Sequence, residues 1–373
     1  MLGFSDGAEQ HIENLKMRLI NRDFSLETKV LCATFLALVL RYVRGWLLDE
    51  HRNTYRDRQL IWLVNIGLPT DSYHDDELVS IYKEIVTVAW TVSVLPGHIS
   101  LEQVHNLIEK IDTMLPLLLK AGERRLLDDQ YIHAFPEFAV QLVGYIRSTR
   151  RQENLHALAD VGAGTFDFTT FNVFRKSDGE DRFPIFARGV QPLGTQFFVQ
   201  HRLKNMQTDS VWNPSPYEDV PHDSVFEDQL SLSELELHDL DKQFSKLVKS
   251  LISDKLLYTK KNRIPNSEHW DSGVPTFLCG GGATVDFYRE IFRSFEAAKP
   301  PYKIRLRSLN LPEDLRANSI PKGTYNRLSV AYGLSYDPYD IGKIIRMEDI
   351  EDIKPEQVST ESYRDRYIDK DMV

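Results

Sequence analysis

The stretch NLHALADVGAGTFDFTTFNVF, from Asn154 to Phe174, constrains the fold more than any other part of the chain. Two β-prone runs flank a turn of Gly162, Ala163, Gly164 and Thr165 that carries almost no side chains. The second run is dense in aromatic and β-branched residues, with Phe166, Phe168 and Phe174 in two-residue phase, so it predicts a half-buried strand. A G-x-G turn that bound a dinucleotide would open a helix and carry a third glycine three residues on. Here Asp167 stands in that place and a strand follows. The sequence contains no G-x-x-x-x-G-K-[ST] run, which excludes a P-loop. What remains is a β-hairpin with an aspartate on each arm, Asp160 and Asp167. Bare glycines let backbone N–H groups come close to phosphate oxygens. Two carboxylates beside such a turn can hold a hydrated Mg²⁺, an ion that keeps several waters and takes one or two carboxylates. Thr165 adds a hydroxyl for a terminal phosphate or a water. An ordinary tight hairpin uses the same Asp and Gly residues, so this turn alone does not decide the function.

A second turn narrows the choice. VPTFLC reads as a buried strand, and TVDFYREIFRSF as an amphipathic helix with Phe287, Tyr288, Ile291 and Phe295 on one face. Between them stand Gly280, Gly281, Gly282 and Ala283. Three consecutive glycines cost backbone entropy, roughly 0.5–1 kcal/mol each against Ala in regular structure. A flat ligand lying against the backbone would explain them; a loose strand–helix connection is the plainer account. Cys279 beside them reads as a buried strand thiol.

The rest of the chain supplies elements but little chemistry. ETKVLCATFLALVLRYVRGWLLDEH predicts a buried helix. IWLVNIGLP predicts a buried strand, and DDELVSIYKEIVTVAWTVS a helix whose first turn holds Asp75 and Asp76. Leu101 to Leu115 predicts a helix ended by Pro116. Residues 205–232 are polar and rich in Asp, Pro and Ser, and predict a long loop. A long helix follows, with Ser231 or Ser233 as its N-cap. The stretch from Asp337 predicts a charged helix and tail.

Composition excludes several classes. Lys plus Arg total 45 against 55 Asp plus Glu, a formal net charge of −10, which argues against nucleic acid as a partner. Cys32 and Cys279 are the two cysteines, so a disulfide scaffold and a four-thiolate zinc site are excluded and a reducing compartment is expected. The longest apolar run, Val30 to Leu40, stops at Arg41, short of the roughly 20 residues of a spanning helix. The opening MLGFSDGAEQH lacks the features of a signal peptide. These readings predict a soluble, cytoplasmic protein with no membrane partner.

Taken together, the two turns resemble motifs of the actin and Hsp70-like ATPases. ADVGAGTFDFTTFNVF is similar to that superfamily's second phosphate motif, and FLCGGGATVDFYREI to its adenosine motif. His133 to Ala139, HAFPEFA, resembles the first connecting helix, and Arg327 to Gly333, RLSVAYG, the second. The resemblance spans roughly Ile61 to Gly333. It implies an α/β, bilobed, ribonuclease H-like fold closing over Mg-ATP or Mg-ADP. Residues 1–153 would form a helix-rich first lobe, 154–335 the second lobe, and 336–373 a charged helix or tail. Asp160, Gly162, Ala163, Gly164, Thr165 and Asp167 would hold phosphates and the Mg²⁺ water shell. Gly280, Gly281, Gly282 and Ala283 would back the ribose and adenine.

The sequence departs from the pattern in four places. The first phosphate hairpin is absent: Gly3 to Gly7 follows no strand, so the first lobe is expected to be truncated at its N-terminus. Glu137 follows Pro136, where the Hsp70-like pattern has a Glu before the Pro; one step on a helix turns a side chain by about 100°. Glu137 is still the catalytic-base candidate beside Asp160 and Asp167. Thr284 stands where Hsp70-like proteins set an Arg against adenine. The interval between the two turns is also short for the family. The expected function is a nucleotide-controlled switch with slow Mg²⁺-dependent ATP hydrolysis, read by a protein partner. The alternative is a degenerate, non-hydrolysing member that serves as an interaction scaffold; a third reading, a sugar- or acid-kinase relative, needs a substrate-facing catalytic Asp in the first lobe, and none stands out in the sequence.

Overall fold

In the computed structural model, the structure describes residues 12, 15–58, 60–70, 72–120, 131–177, 179–204, 214, 219–316 and 325–353, and the side chains of 112 and 114–120 fall outside this description. The early Gly3–Gly7 segment, residues 205–213 and 215–218 of the expected 205–232 loop, and the tail beyond 353 therefore lie outside the described residues.

The chain opens with α1 (Leu15–Ile20), α2 (Leu26–Glu50) and the single turn α3 (Arg52–Tyr55). Strand β1 (Val64–Leu68) follows, then α4 (Asp76–Val94) and α5 (Leu101–Lys120). Asp75 is the N-cap of α4 and its side chain accepts from the Leu78 amide, so Asp76 and Glu77 are the acidic residues of the first turn. Pro116 does not end α5, which runs on to Lys120. A proline costs one helical hydrogen bond, and the leucine-rich run on its far side continues the helix. Strand β2 (Ile132–Pro136) pairs in parallel with β1. His133 to Pro136, expected in a helix, therefore lies in a strand, and α6 (Glu137–Gln141) begins only after Pro136, followed by α7 (Val143–Ile146).

Among the described residues, no strand pairs with the outer edge of β1. The helices beside this small sheet share one core, with Leu68 of β1, Val30, Ala33 and Ala37 of α2, and Ile85, Val88 and Ala89 of α4. Helix α2 was expected to be buried, yet Phe35, Leu38, Tyr42 and Trp46 are exposed along one side of it. It is also the one helix among the described residues that is long and apolar enough to cross a membrane, with a mean hydropathy of 1.6 and 22% of that window buried. This corrects the expectation that Arg41 breaks the run: the guanidinium instead donates to the carbonyls of Val92, Ser93, Leu95 and Gly97 at the end of α4. Core helices of soluble proteins pass the same test of length and composition.

The second sheet is built from β3 (Asn154–Val161), β4 (Phe166–Arg175), β5 (Asp181–Gln191), β6 (Val274–Cys279), β7 (Ile304–Arg307) and β8 (Lys343–Ile345). Its strand order is β7-β6-β3-β4-β5-β8. The pairs β3–β4 and β4–β5 are antiparallel, while β6, β7 and β8 add in parallel. Between β5 and β6 come α8 (Thr195–Lys204), α9 (Asp223–Leu230), α10 (Glu234–Asn262) and α11 (His269–Ser272). Then α12 (Asp286–Glu296) precedes β7, and α13 (Tyr325–Leu334) and α14 (Pro338–Ile341) precede β8.

Three of these elements differ from expectation. Helix α9 forms inside the expected loop because Phe226 and Leu230, one turn apart, bury against Leu237. Ser231 ends it in the left-handed conformation (φ 52°), and Ser233 is the N-cap of α10, in a capping box with Glu236. Lys343 to Ile345, expected in a loose helix or tail, is an edge strand on β5.

The alternation of β3 sets up the site. Leu155, Ala157, Ala159 and Val161 face a core with Val248, Leu251 and Ile252 of α10 and Tyr288 and Phe292 of α12. The period of two turns Leu158 to the opposite face, against Phe138, Ala139 and Leu142. Asp160 shares that second face, so the sheet delivers its carboxylate toward α6.

Candidate functional site

Strands β3 and β6 are neighbours and run in parallel, with Asp160 opposite Cys279. The turns that leave their carboxyl ends must therefore lie side by side. They touch: a Cβ at Gly280 would stand 2.2 Å from Asp160 Oδ1 and 2.5 Å from the Val161 carbonyl oxygen. One at Gly282 would meet Val161 Cγ1 at 2.4 Å and Thr195 Cγ2 at 2.7 Å. Gly280 also has a φ of +80°, which L side chains rarely adopt. The glycines are required by the approach of two backbones, whatever ligand they also admit.

The hairpin turn is closed by the Gly162 amide donating to the Thr165 carbonyl at 2.9 Å. Its outer carbonyls are held by the start of α8, where the amides of Thr195 and Gln196 donate to Gly162 and Ala163 at 3.0 and 2.8 Å. Gly194 permits this, because a Cβ there would lie 2.6 Å from both carbonyl oxygens. With the carbonyls turned toward α8, the amides of Ala163 and Gly164 donate to no backbone carbonyl among the described residues. Gly164 has open space around it.

Asp160 and Asp167 are direct cross-strand partners. Their side chains therefore leave the sheet on the same face. Asp160 accepts a hydrogen bond from Gln141 Nε2 at 2.5 Å, while the buried Gln141 Oε1 has no partner. Burial pushes the Asp160 pKa up to about 6; the nearby Glu137 charge adds to this, and the Gln141 hydrogen bond and the Lys16 charge oppose it. Glu137 stands one turn before Gln141 as the first residue of α6, in an ion pair with Lys16 of α1 at 2.5 Å. Cys279 is fully buried and its thiol pKa is raised by burial. Cys32 is also free and buried.

The Asp160 carboxyl gives a pH prediction. Its folded pKa lies above the unfolded value of 3.8, so the native state keeps a proton that the unfolded chain has lost. The associated stability is present below the ordinary carboxylate range and is lost as pH rises through about 6. Asp160→Asn is expected to flatten that slope and to exceed wild type in stability at neutral pH by about 3 kcal/mol. Urea unfolding of both proteins across this interval checks it; parallel curves would assign the slope to other groups.

Beside the two turns lies an open cleft of about 640 Å³, within the size range of small-molecule sites. Ala163, Gly281, Gly282 and Thr284 line one side, the 219–224 segment lines another, and Arg327 of α13 reaches in. Asp160, Asp167 and Glu137 do not line it. Asp160 is grouped instead with Gln141 and Glu137, and Asp167 is its partner on the neighbouring strand. Gly162, Gly164, Thr165, Gly280 and Ala283 shape the two turns without lining the cleft. Thr284 donates its hydroxyl hydrogen to the Gly281 carbonyl at 3.2 Å and carries no cation, but Arg327 supplies one close to that end.

Sequence reasoning missed Gln141, Gly194 and Asp219, and gave Arg327 only as the start of the segment resembling the second connecting helix. The only sequence signal for Gln141 was its i+4 spacing from Glu137. The others come to the site by tertiary packing alone.

The fold and the cleft define a mixed α/β protein with a ligand-sized opening at the carboxyl ends of adjacent parallel strands. Among solved structures, it is similar to the crystal structure of Ta0583, an archaeal actin homolog, at 14% sequence identity and a TM-score of 0.32, over 54% of each chain. It is also similar to the PilM–PilN type IV pilus biogenesis complex at 13% identity and a TM-score of 0.34, over 58% of this chain and 56% of that one. The chain thus spans little more than half the length of either. No family model and no curated protein matches it. A likeness this distant assigns neither family nor activity.

Proposed function

We propose that this chain is an actin/Hsp70-like nucleotide-binding protein that takes ATP or ADP in the cleft beside Ala163, Gly281 and Gly282. The observation that carries the reading is the contact between the two glycine turns at the ends of β3 and β6, with a cleft of nucleotide size next to them. The Ala163 amide, on the cleft wall and with no backbone acceptor among the described residues, would donate to phosphate oxygens, with Gly164 and Thr165 beside it in the same turn. The open backbone of Gly281 and Gly282 takes the nucleoside. Residues 1–153 act as the first lobe and 154–335 as the second.

Asp160 and Asp167 suit a hydrated Mg²⁺: two carboxylates on one face of adjacent strands, with the orphaned Gln141 Oε1 beside them to accept from a water. Among the described residues no set of three or more His, Cys, Asp or Glu could hold a metal, and neither aspartate lines the cleft, so such an ion would meet a nucleotide there through its water shell. When bound, Mg²⁺ would neutralise phosphate charge. Gln141 would then orient a water, and Asp160, ionised above about pH 6, would hold that water's proton. Glu137 serves as a base only when released from Lys16.

That ion pair favours the second reading, a non-hydrolysing binder acting as a scaffold for a protein partner in a reducing, cytoplasmic setting. Equilibrium titration with ATP and with ADP, each with and without Mg²⁺, tests the binding. Saturable binding that Gly281→Val, which fills the cleft wall without a clash in the fold, abolishes supports it, and its absence in wild type would sink it. Phosphate release under single-turnover conditions separates the hydrolysing from the scaffold reading.

A further inference from the structure

One edge of the large sheet carries positive charge that no carboxylate among the described residues neutralises. Arg305 and Arg307 are alternate residues of β7, the edge strand next to β6, about 7 Å apart along the chain. Ile304 and Leu306, which alternate with them, turn toward the core shared with α10 and α12. Both arginines therefore leave the opposite face. Their partners on β6 are Pro275 and Phe277, back along the strand from the Gly280 turn, and neither arginine lines the cleft. Elsewhere in this acidic chain Arg151, Arg182 and Arg202 pair with carboxylates. Here both Nη2 groups donate to one neutral atom, Gln152 Oε1, at 3.2 and 3.3 Å. A guanidinium on a carboxylate sits closer, at about 2.7–2.9 Å. Arg305 Nε is buried and has no acceptor.

The layer beneath them is aromatic and uncharged. Phe277, fully buried, lies parallel to the His156 ring and 4.7 Å from the Tyr145 ring, centroid to centroid. Burial holds the His156 pKa down to about 4, so that ring is neutral. Its Nδ1 meets the Asn154 carbonyl at 2.8 Å and its Nε2 meets the Tyr145 hydroxyl at 3.1 Å. The same hydroxyl accepts from the Gln152 amide at 2.7 Å, which fixes the Gln152 backbone. Glu153 and Asp181 are engaged by Arg151, and Glu296 accepts from the Leu306 amide. We propose that Arg305 and Arg307 form an anion site for a phosphate monoester, whose oxygens take the place of Gln152 Oε1 between the two guanidinia. The site is separate from the cleft and does not depend on what the cleft binds. A flat carboxylate accepts one guanidinium fork edge-on. A tetrahedral phosphoryl group offers oxygens in several directions and serves two forks rooted on alternate residues of a strand. The Gln152 amide gives way to a dianion without breaking an ion pair, and the dry aromatic layer strengthens the attraction.

Isothermal titration with glycerol phosphate reads the site. Wild type should bind it saturably, and Gly281→Val, altered only at the cleft wall, should bind it equally well. Arg305→Gln and Arg307→Gln should each weaken binding about tenfold or more. Gln152→Glu sets a carboxylate of the chain itself between the guanidinia, so it should abolish binding while raising the urea midpoint. Gln152→Ala should leave binding intact. Two arginines that merely brace the sheet edge would not couple a gain in stability to a loss of ligand. Thermal unfolding checks that each variant is folded, and Gln152→Glu keeps both arginines if their replacement does not fold. Binding lost in Gly281→Val but kept in the arginine variants would put the phosphate in the cleft and overturn the site. Acetate competing as strongly as glycerol phosphate would overturn the choice of a phosphoryl group. No saturable binding by wild type would overturn the proposal outright and leave the nucleotide reading in place.

Discussion

Gly280→Ala is expected to destabilise the protein by about 4 kcal/mol and to remove nucleotide binding with it. The φ of +80° and ψ of 174° put Gly280 in a region that is essentially restricted to glycine, at about 1–3 kcal/mol for any other residue. The added methyl would also stand 2.2 Å from Asp160 Oδ1 and 2.5 Å from the Val161 carbonyl oxygen. Neither is the free end of a flexible side chain, because Asp160 is bonded to Gln141 and Val161 belongs to β3. Relieving such a contact in a packed interior costs about 1–3 kcal/mol more. Against a typical total of about 5–15 kcal/mol the loss is large. Gly281→Ala is the control. Its φ is not positive, and the nearest atom to its Cβ is Arg327 Nε at 4.0 Å, so its stability should stay within about 1 kcal/mol of wild type. Urea midpoints at constant m-value measure both. Equal midpoints for the two variants would mean that the turns do not meet as described.

The same pair of positions shows why parts of the site were legible in the sequence. The aspartate-flanked turn and the triple-glycine turn announce themselves because backbone geometry demands residues that few other environments tolerate. Asp160 and Asp167 did come into direct register across β3 and β4, and Ser233 did cap α10. These are local facts, set by strand period and cap chemistry.

What was not legible depends on partners far away in the chain. Gln141 matters because β2 pairs with β1, which delays the start of α6 to Glu137 and turns residue 141 toward Asp160. Arg327 matters because α13 crosses α6 closely: a Cβ at Gly333 would stand 1.9 Å from the Val140 carbonyl oxygen, so glycine alone allows the approach. Strand β8 has only three residues, too few to show an alternation of its own. The exposed side of α2 was unpredictable for the opposite reason. Its sequence is apolar nearly all round, and nothing in it says which face a neighbour will cover.

Asp241→Ala is expected to cost about 3–5 kcal/mol, through the burial of an unpaired charge. Arg202 is 1% exposed, and its guanidinium is held by Asp241 through bonds of 3.0 Å from Nε and 2.6 Å from Nη2. It lies 4.3 Å from the Phe198 ring centroid and 4.5 Å from that of Phe226, so aromatic rings cover it where a carboxylate does not. Asp223 bonds Nη1 at 2.8 Å from a largely exposed position and cannot compensate alone. Asp223→Ala should therefore cost under about 1 kcal/mol. Replacing both partners with apolar residues, Arg202→Met with Asp241→Leu, should recover most of the loss, since the desolvation penalty goes with the charges. The effect should reach the cleft. Arg202 ties α8, whose first amides hold the hairpin carbonyls, to α9, whose leading segment walls the opening. Nucleotide affinity should then fall in Asp241→Ala even at temperatures where the protein remains folded, and return in the double variant. A double-mutant cycle in urea, run beside ADP titrations of the same proteins, decides it. An Asp241→Ala protein as stable as wild type would show that the guanidinium reaches solvent. One that loses stability but binds ADP unchanged would show that α8 and α9 hold the cleft without it.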